Sequence, residues 1–379
     1  MTITAKIDVD QGNLLSALQH LLQDALALES VGAILVSQLL PNHRMVMPAL
    51  ITASDQLEGV DPLAPAYPLN AAKIASRLTR KSAGVRTLLV LRPCEIRAFV
   101  ELVKLNQGHM DEVVILGIDC LGAYSNRDYL QFVNSNPEDG TRRFYESVLG
   151  GNGTALAGAD LTTACRMCIQ PFPDGADVAV GLLGLETTRS LPITAQTEKG
   201  EQLLKELRLE TMAVPHQRQE AVDKLLSQRK EERNRKFTEI RAVTENLEKL
   251  SGYLAACVNC YNCRVACPVC YCRECVFVTD VFDHEPVQYL QWATRKGRIK
   301  MPTDTVFYHL TRLAHMSTAC VSCGQCSNAC PNDIPLAELF SAVAQSTQQA
   351  FDYLAGRNVE EPPPLSEFRE NEFQEIVGI

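Results

Sequence analysis

The sequence predicts three parts in series: an α/β N-terminal domain with a mostly parallel sheet, a charged helical connector, and an all-α domain organised around cysteine. Three observations predict it. Within the first 200 residues, Thr87-Leu-Leu-Val-Leu91 and Glu112-Val-Val-Ile-Leu-Gly-Ile118 are continuous apolar runs separated by a helical stretch over 95–105. Strands buried on both faces read this way, and parallel neighbours need a crossover between them. From Lys199 to Leu254 charge dominates, with apolar residues at helical spacing. Beyond Leu254 stand two four-cysteine runs with identical spacing.

Those runs carry the most specific chemistry. Cys257, Cys260, Cys263 and Cys267, followed by Pro268, space as C-x2-C-x2-C-x3-C-P; Cys320, Cys323, Cys326 and Cys330, followed by Pro331, repeat it. Three thiolates two residues apart wrap a tight loop around three corners of a 4Fe–4S cube. The fourth thiolate is carried away by the next turn and, in two-cluster ferredoxins, serves the other cluster. Zinc would want paired C-x2-C knuckles, and a disulfide framework does not suit a reducing compartment. The all-α part is therefore read as a two-cluster ferredoxin domain over 255–347. The 53-residue gap from Cys267 to Cys320 favours a helical ferredoxin with an insertion over a small β-type one.

The chain has 379 residues, 46% of them hydrophobic, 21% charged, with a net charge of −9. That is enough apolar residue for real cores, and the negative balance argues against nucleic acid and anionic membrane surfaces. No apolar run approaches the ~18 residues of a membrane span, and the start lacks the pattern of a signal peptide. Fifteen cysteines without export point to metal and to a cytoplasmic location.

Taken in order, Leu14 to Leu28 is helix-periodic, and Ala33 to Leu40 and Arg44 to Ile51 are strand-like. The β-α-β stretch follows, completing a domain over 1–200. Gln202 to Leu209 and Gln217 to Leu250 read as helices of a connector over 201–254, punctuated by Pro215. Thr303 to His315 and Leu336 to Gln349 are the helices expected of the ferredoxin part. A tail over 348–379, with Pro362-Pro-Pro364 and Glu367 to Ile379, reads as packing on something else.

A second cysteine constellation lies in the α/β part. Cys94 follows one apolar strand and Cys120 the next, so both fall at the carboxyl edge of a parallel sheet, where α/β proteins place sites. Cys165-Arg-Met-Cys168 adds a chelating pair. These four read either as one further cluster or as two buried thiols beside an unrelated pair.

At this point the chain resembles a family. Arg92-Pro-Cys-Glu-Ile-Arg-Ala98, Gly117-Ile-Asp-Cys120, Cys165-x2-Cys168 and the charged helix leading into Cys257 are similar to the β subunits of deazaflavin-reducing hydrogenases and formate dehydrogenases, over about residues 60–275. The helical ferredoxin half looks like the C subunit of heterodisulfide reductases. The resemblance implies FAD, a third 4Fe–4S cluster at Cys94, Cys120, Cys165 and Cys168, and electron relay to a formate dehydrogenase, hydrogenase or heterodisulfide-reductase-like partner. The family's Gly-Ser-x-Gly turn reads here Gly181-Leu-Leu-Gly184, and its following arginine is replaced by Gln196.

Gly181 and Gly184 could form an ordinary turn or a flavin-phosphate loop, since glycine lets a backbone approach phosphate closely. Lys73 and Arg77 read as a solvated face or as dinucleotide-phosphate contacts. Arg92 and Arg97 bracket Cys94, where a guanidinium would raise a cluster's potential or hold a phosphate. Cys270, Cys272 and Cys275 are left over; they could ligate another metal with Asp283, His284, His309 or His315, substitute for Cys267, or simply pack. Isolated histidines such as His20, His43 and His109 read as ordinary. The expected function is electron transfer between FAD and a partner subunit, the alternative a flavin-free module wiring two redox enzymes together.

Overall fold

The computed structural model describes residues 3–40, 45–135, 139–213 and 218–367. The first part runs β1 (Thr4–Asp8), α1 (Leu14–Leu26), β2 (Ala33–Leu39), β3 (Val46–Ile51), α2 (Ala72–Leu78), β4 (Thr87–Leu91), α3 (Pro93–Lys104), β5 (Val113–Ile118), α4 (Asn126–Ser135), α5 (Gly140–Leu149), α6 (Thr163–Arg166), β6 (Val178–Val180), β7 (Ser190–Ala195) and α7 (Glu198–Leu207). The second runs α8 (Arg218–Thr244), α9 (Leu247–Tyr253), α10 (Asn262–Ala266), α11 (Pro286–Lys296), α12 (Thr305–Met316), α13 (Gln325–Asn328) and α14 (Leu336–Ala350). Arg44, His43, Pro215 and Gln217 lie outside the described residues, as does the tail beyond 367.

The seven strands form one sheet in the order β1-β7-β6-β5-β4-β2-β3. The expected parallel pairing holds for the central four, β6, β5, β4 and β2. The outer pairings β1–β7, β6–β7 and β2–β3 are antiparallel. Alternation explains the unbroken apolar runs. Leu88 and Val90 of β4 face a first core with α1, and Leu89 and Leu91 face a second with α2 and α3. Both faces are covered, so every position in β4 and β5 is buried.

The second core does not stop at the α/β part. It continues from Phe99 and Leu102 of α3 through Phe237 and Ile240 of α8 to Tyr308 of α12 and Leu336 and Phe340 of α14. The two halves share one apolar interior.

The charged stretch expected as a single helix to Leu250 is two. Asn246 interrupts it by capping α9, its side chain accepting from Lys249 N at 2.9 Å; an asparagine that binds backbone locally ends one helix and starts another. The segment after α14 packs on its own chain. Tyr353 donates to Glu101 Oε1 at 2.5 Å and Gly356 N to the same oxygen at 2.7 Å. Glu101 is 1% exposed and paired with Lys104, so this segment supplies donors that a buried carboxylate requires.

Candidate metal centres

The two cysteine runs fold alike. In the first, Asn259 and Tyr261 are left-handed (φ 52° and 61°); in the second, Ser322 and Gly324 occupy the same two positions (φ 57° and 81°). Two left-handed residues per loop turn the backbone tightly enough to aim successive thiols inward, and non-glycine residues accept that strain only where the surroundings hold them. Each loop then enters a short helix, α10 or α13, and these two pack together. At Gly324 a Cβ would meet Ala164 Cβ at 2.5 Å, so the second loop rests directly on α6.

The fourth cysteine of each run lies near thiols of the other run. After burial, repulsion from Cys267 is the next cause raising the Cys320 and Cys323 thiols, and it also acts on Cys326. Cys320 is pushed up to about 11. Burial likewise raises Cys257, with Cys263 and then Cys330 among its neighbours. Cys267 of the first run thus sits with Cys320, Cys323 and Cys326, and Cys330 of the second with Cys257 and Cys263. Cys260 is exposed and Cys263 buried. Buried thiols crowded this way ionise only against a cation, and bound metal deprotonates its thiols outright. The donor set therefore fits clusters. Among the described residues, no three His, Cys, Asp or Glu side chains converge at the spacing of a single metal ion.

Charged and polar side chains surround the first group. Arg312, 4% exposed, donates from Nη1 to Cys263 Sγ and from Nη2 to Cys263 O, both at 3.1 Å. Its guanidinium lies 4.7 Å from the Phe340 ring centre. Burial would lower its pKa, but the thiolates of Cys263, Cys267 and Cys326 outweigh burial and raise it. Arg312 therefore faces thiols of both groups. His309 Nε2 lies 3.4 Å from Cys257 Sγ, and burial holds its pKa down at about 4. Tyr308 Oη lies 3.4 Å from Cys263 Sγ.

The α/β cysteines also meet. Cys94 opens α3 beyond β4, Cys120 follows β5, and α6 carries Cys165 with Cys168 just after it. All four line one cleft, together with Tyr67, Arg92 and Cys323. Burial first, then Cys120 and Cys323, raise Cys94; burial and Cys120 raise Cys165. Asn70 Nδ2 donates to Tyr67 Oη at 2.7 Å, leaving that hydroxyl to donate to Cys94 Sγ at 3.2 Å. The Tyr67 carbonyl accepts from Gln325 at 2.8 Å and Asn328 at 2.9 Å, the two ends of α13 in the second run. Tyr67 is thus the joint between this cleft and the ferredoxin half. Arg92 donates to the carbonyls of Ala64, Ala66 and Gly122, and the Cys120 and Cys94 thiolates raise its pKa against burial.

The six residues expected at a flavin do not form one site. Lys73 points across to the first cysteine loop, donating to Val265 O at 3.0 Å. Burial lowers its pKa, and the nearby Cys267 and Cys270 thiolates oppose that. Arg77 is exposed one turn further along α2. Arg92 lines the cysteine cleft, and Arg97 donates to Val321 O at 3.0 Å between the two halves. Gly181 alone of the six borders the open cavity of about 630 Å³ beside β6 and β7.

The Gly181–Gly184 turn has its anion already. Leu182 N and Leu183 N both donate to Asp119 Oδ2, at 2.8 and 2.9 Å, and Gly181 N is spent on Pro192 O at 3.0 Å. Asp119 is further paired with Arg218 at 2.6 Å. The Gly181, Leu182 and Leu183 amides are therefore not free to meet a flavin diphosphate.

The leftover cysteines disperse. Cys270 is raised by burial to about 11, with Cys267 as its next influence, whereas Cys272 is exposed and Cys275 neighbours Tyr261. His309, one expected fourth ligand, serves Cys257 instead. His284 packs against Tyr289 and Trp292. Sequence reading missed Tyr67, Tyr308 and Arg312, which carry no motif; only the apolar pattern of 305–316, with Arg312 set on its buried face, held a signal.

No family model matches the chain. It is 28% identical over 340 residues to the F420-dependent formate dehydrogenase subunit beta of Methanocaldococcus jannaschii, covering 84% of this chain and 85% of that one. It is 28% identical over 302 residues to the F420-dependent formate dehydrogenase 1 subunit beta of Methanococcus maripaludis, covering 73% and 74%. A solved chain of the F420-reducing [NiFe] hydrogenase complex from Methanosarcina barkeri matches with a TM-score of 0.45 at 13% identity, over 65% of this chain and 94% of that chain. The resemblance that the motifs carry thus extends over most of the chain, and these relatives are subunits of redox complexes.

Proposed function

We propose that this chain is an electron-transfer subunit of a cytoplasmic redox complex of the formate dehydrogenase or hydrogenase kind. In this reading it holds three 4Fe–4S clusters. Cys257, Cys260, Cys263 and Cys330 hold one, Cys320, Cys323, Cys326 and Cys267 a second, and Cys94, Cys120, Cys165 and Cys168 the third. Bound clusters supply one-electron storage at potentials set by nearby charge and hydrogen bonds. The chain's own residues do the rest. Tyr67, Arg92, Tyr308 and Arg312 donate to, or place positive charge beside, the ligating thiols, and the shared core excludes water between the groups. The observation that carries the reading is the position of Cys323, which belongs to the second group yet lines the cleft of the third.

A flavin-free module is the reading favoured here over one with FAD, because Asp119 fills the turn that would hold the diphosphate. Iron, sulfide and flavin counted per purified chain test it. About twelve irons and no flavin are expected; a stoichiometric flavin, or about eight irons, would overturn the corresponding part.

A further inference from the structure

The segment between the two cysteine runs carries surface that the fold leaves open. α11 is an amphipathic helix started by Pro286 and a Glu285–Gln288 capping box, yet none of its residues is buried. Val287 and Leu290 stand 55% and 67% exposed, and Val278 and Val281 on the turns before it 54% and 62%. A patch of this kind on a water-soluble protein marks an interaction site.

The segment reaches the loop that carries the one exposed thiol of the two runs, Lys300 Nζ donating to Cys257 O at 2.7 Å. Cys260 is flanked by Val258 and Val265, 58% and 64% exposed. Ring contacts then lead from the loop into the insertion, Tyr261 to Tyr308 at 5.0 Å, Tyr308 to Phe277 at 5.1 Å and Phe277 to Phe282 at 4.8 Å. The C-terminal side of the helix is basic. From Pro286 to Thr303 there is no acidic residue, and Arg295, Lys296, Arg298 and Lys300 stand there in a chain of net charge −9, whereas Asp280, Asp283 and Glu285 are exposed on the turns before it.

We propose that this face docks the partner redox subunit, a protein presenting an acidic rim around an apolar groove, with its own one-electron centre facing Cys260. The proposal rests on the electron-transfer reading above. An exposed thiol in the loop beside this segment gives a redox protein a reason to bind there, and the basic side of the helix gives an anionic face a means of steering in. A lipid surface fits less well, because Trp292, the residue suited to insertion, is packed edge-on against His284 and Tyr289.

The test uses the assembled complex, isolated from its native host through a tag on this chain. Hydrogen exchange over 258–265 and 286–300 is compared between that complex and the chain alone, which is also examined with anionic phospholipid vesicles. Protection of both segments in the complex, with none from vesicles, is expected. Val287→Glu with Leu290→Glu, and separately Arg295→Glu with Lys296→Glu, should cut recovery of redox subunits about tenfold or more, while iron content and cluster spectra stay unchanged. A complex that forms with both segments unprotected, or that survives both variants, overturns the docking proposal and leaves the electron-transfer reading standing. Protection by vesicles, or in a homodimer of the chain alone, overturns it in favour of membrane or self-association. Recovery with no redox subunit and no iron overturns the electron-transfer reading itself.

Discussion

Arg312 shows how much one buried side chain can decide. Burying a guanidinium is costly unless it is paired, and here the pairing is a thiol and a carbonyl of Cys263, with thiols of the second group nearby. Positive charge at that point favours the reduced, more negative state of whatever the thiols bind. Arg312→Gln should therefore lower the midpoint potential of the Cys263 centre, by something on the order of 60 mV, the one-electron equivalent of a tenfold change. Potentiometric titration followed by electron paramagnetic resonance reads it; an unchanged potential would remove Arg312 from that role. Asp119 is the counterpart in the α/β half. Asp119→Asn leaves Arg218 without its charge partner and weakens the bonds to the Leu182 and Leu183 amides. Arg218 is partly exposed, so a loss of about 2–3 kcal/mol is expected, below the range for a fully buried pair. Thermal unfolding measures it.

At the scale of elements, the paired loops make the strongest claim. The crossing of Cys267 and Cys330 means that iron loss should follow space, not sequence. Cys267→Ala combined with Cys323→Ala should cost about four irons per chain, no more than either alone. Cys267→Ala combined with Cys260→Ala should cost about eight. The reverse order, about eight irons lost in the first double and about four in the second, would refute the exchange. Cys323→Ala should also open residues 255–347 to protease, because metal binding in a small helical domain is coupled to its folding. For the edge of the sheet, Cys120→Ser should remove one cluster's iron and leave the signals of the other two. Full iron in that variant would mean that Cys94, Cys120, Cys165 and Cys168 hold nothing.

The whole molecule behaves as a single packed object, because α3 lies between the sheet and the helical half. Phe99 and Leu102 belong to the core that also holds Leu336 and Phe340 of α14 and Tyr353 after it, and Glu101 takes hydrogen bonds from Tyr353 and Gly356. A fragment of residues 1–213 would expose that apolar face and leave the carboxylate without two of its donors. We expect it to be insoluble or to bind a hydrophobic dye while the full chain stays monodisperse. A fragment that unfolds cooperatively and reversibly would instead make the halves independent domains.

What was legible in the sequence was local. Thr87 to Leu91 reads as a strand because four apolar residues in a row after a β-branched threonine, ended by Arg92-Pro93, fit a strand covered on both faces, and β4 has those bounds. The cysteine runs are local too: their spacing and prolines prescribe a loop, and both loops adopt it with left-handed residues at matching positions. The edge placement of Cys94 and Cys120 follows from parallel neighbours, and the structure puts both in one cleft. Tertiary structure alone decided the rest, since each remaining feature depends on residues far apart in the chain. Nothing near Gly181 announces that a carboxylate from Asp119 will occupy its turn. Lys73 reads as a phosphate ligand until packing carries α2 against Val265, 192 residues away. Composition and spacing specify which groups can bind metal, whereas which groups face one another, and which charges face them, is set by how the sheet and helices pack.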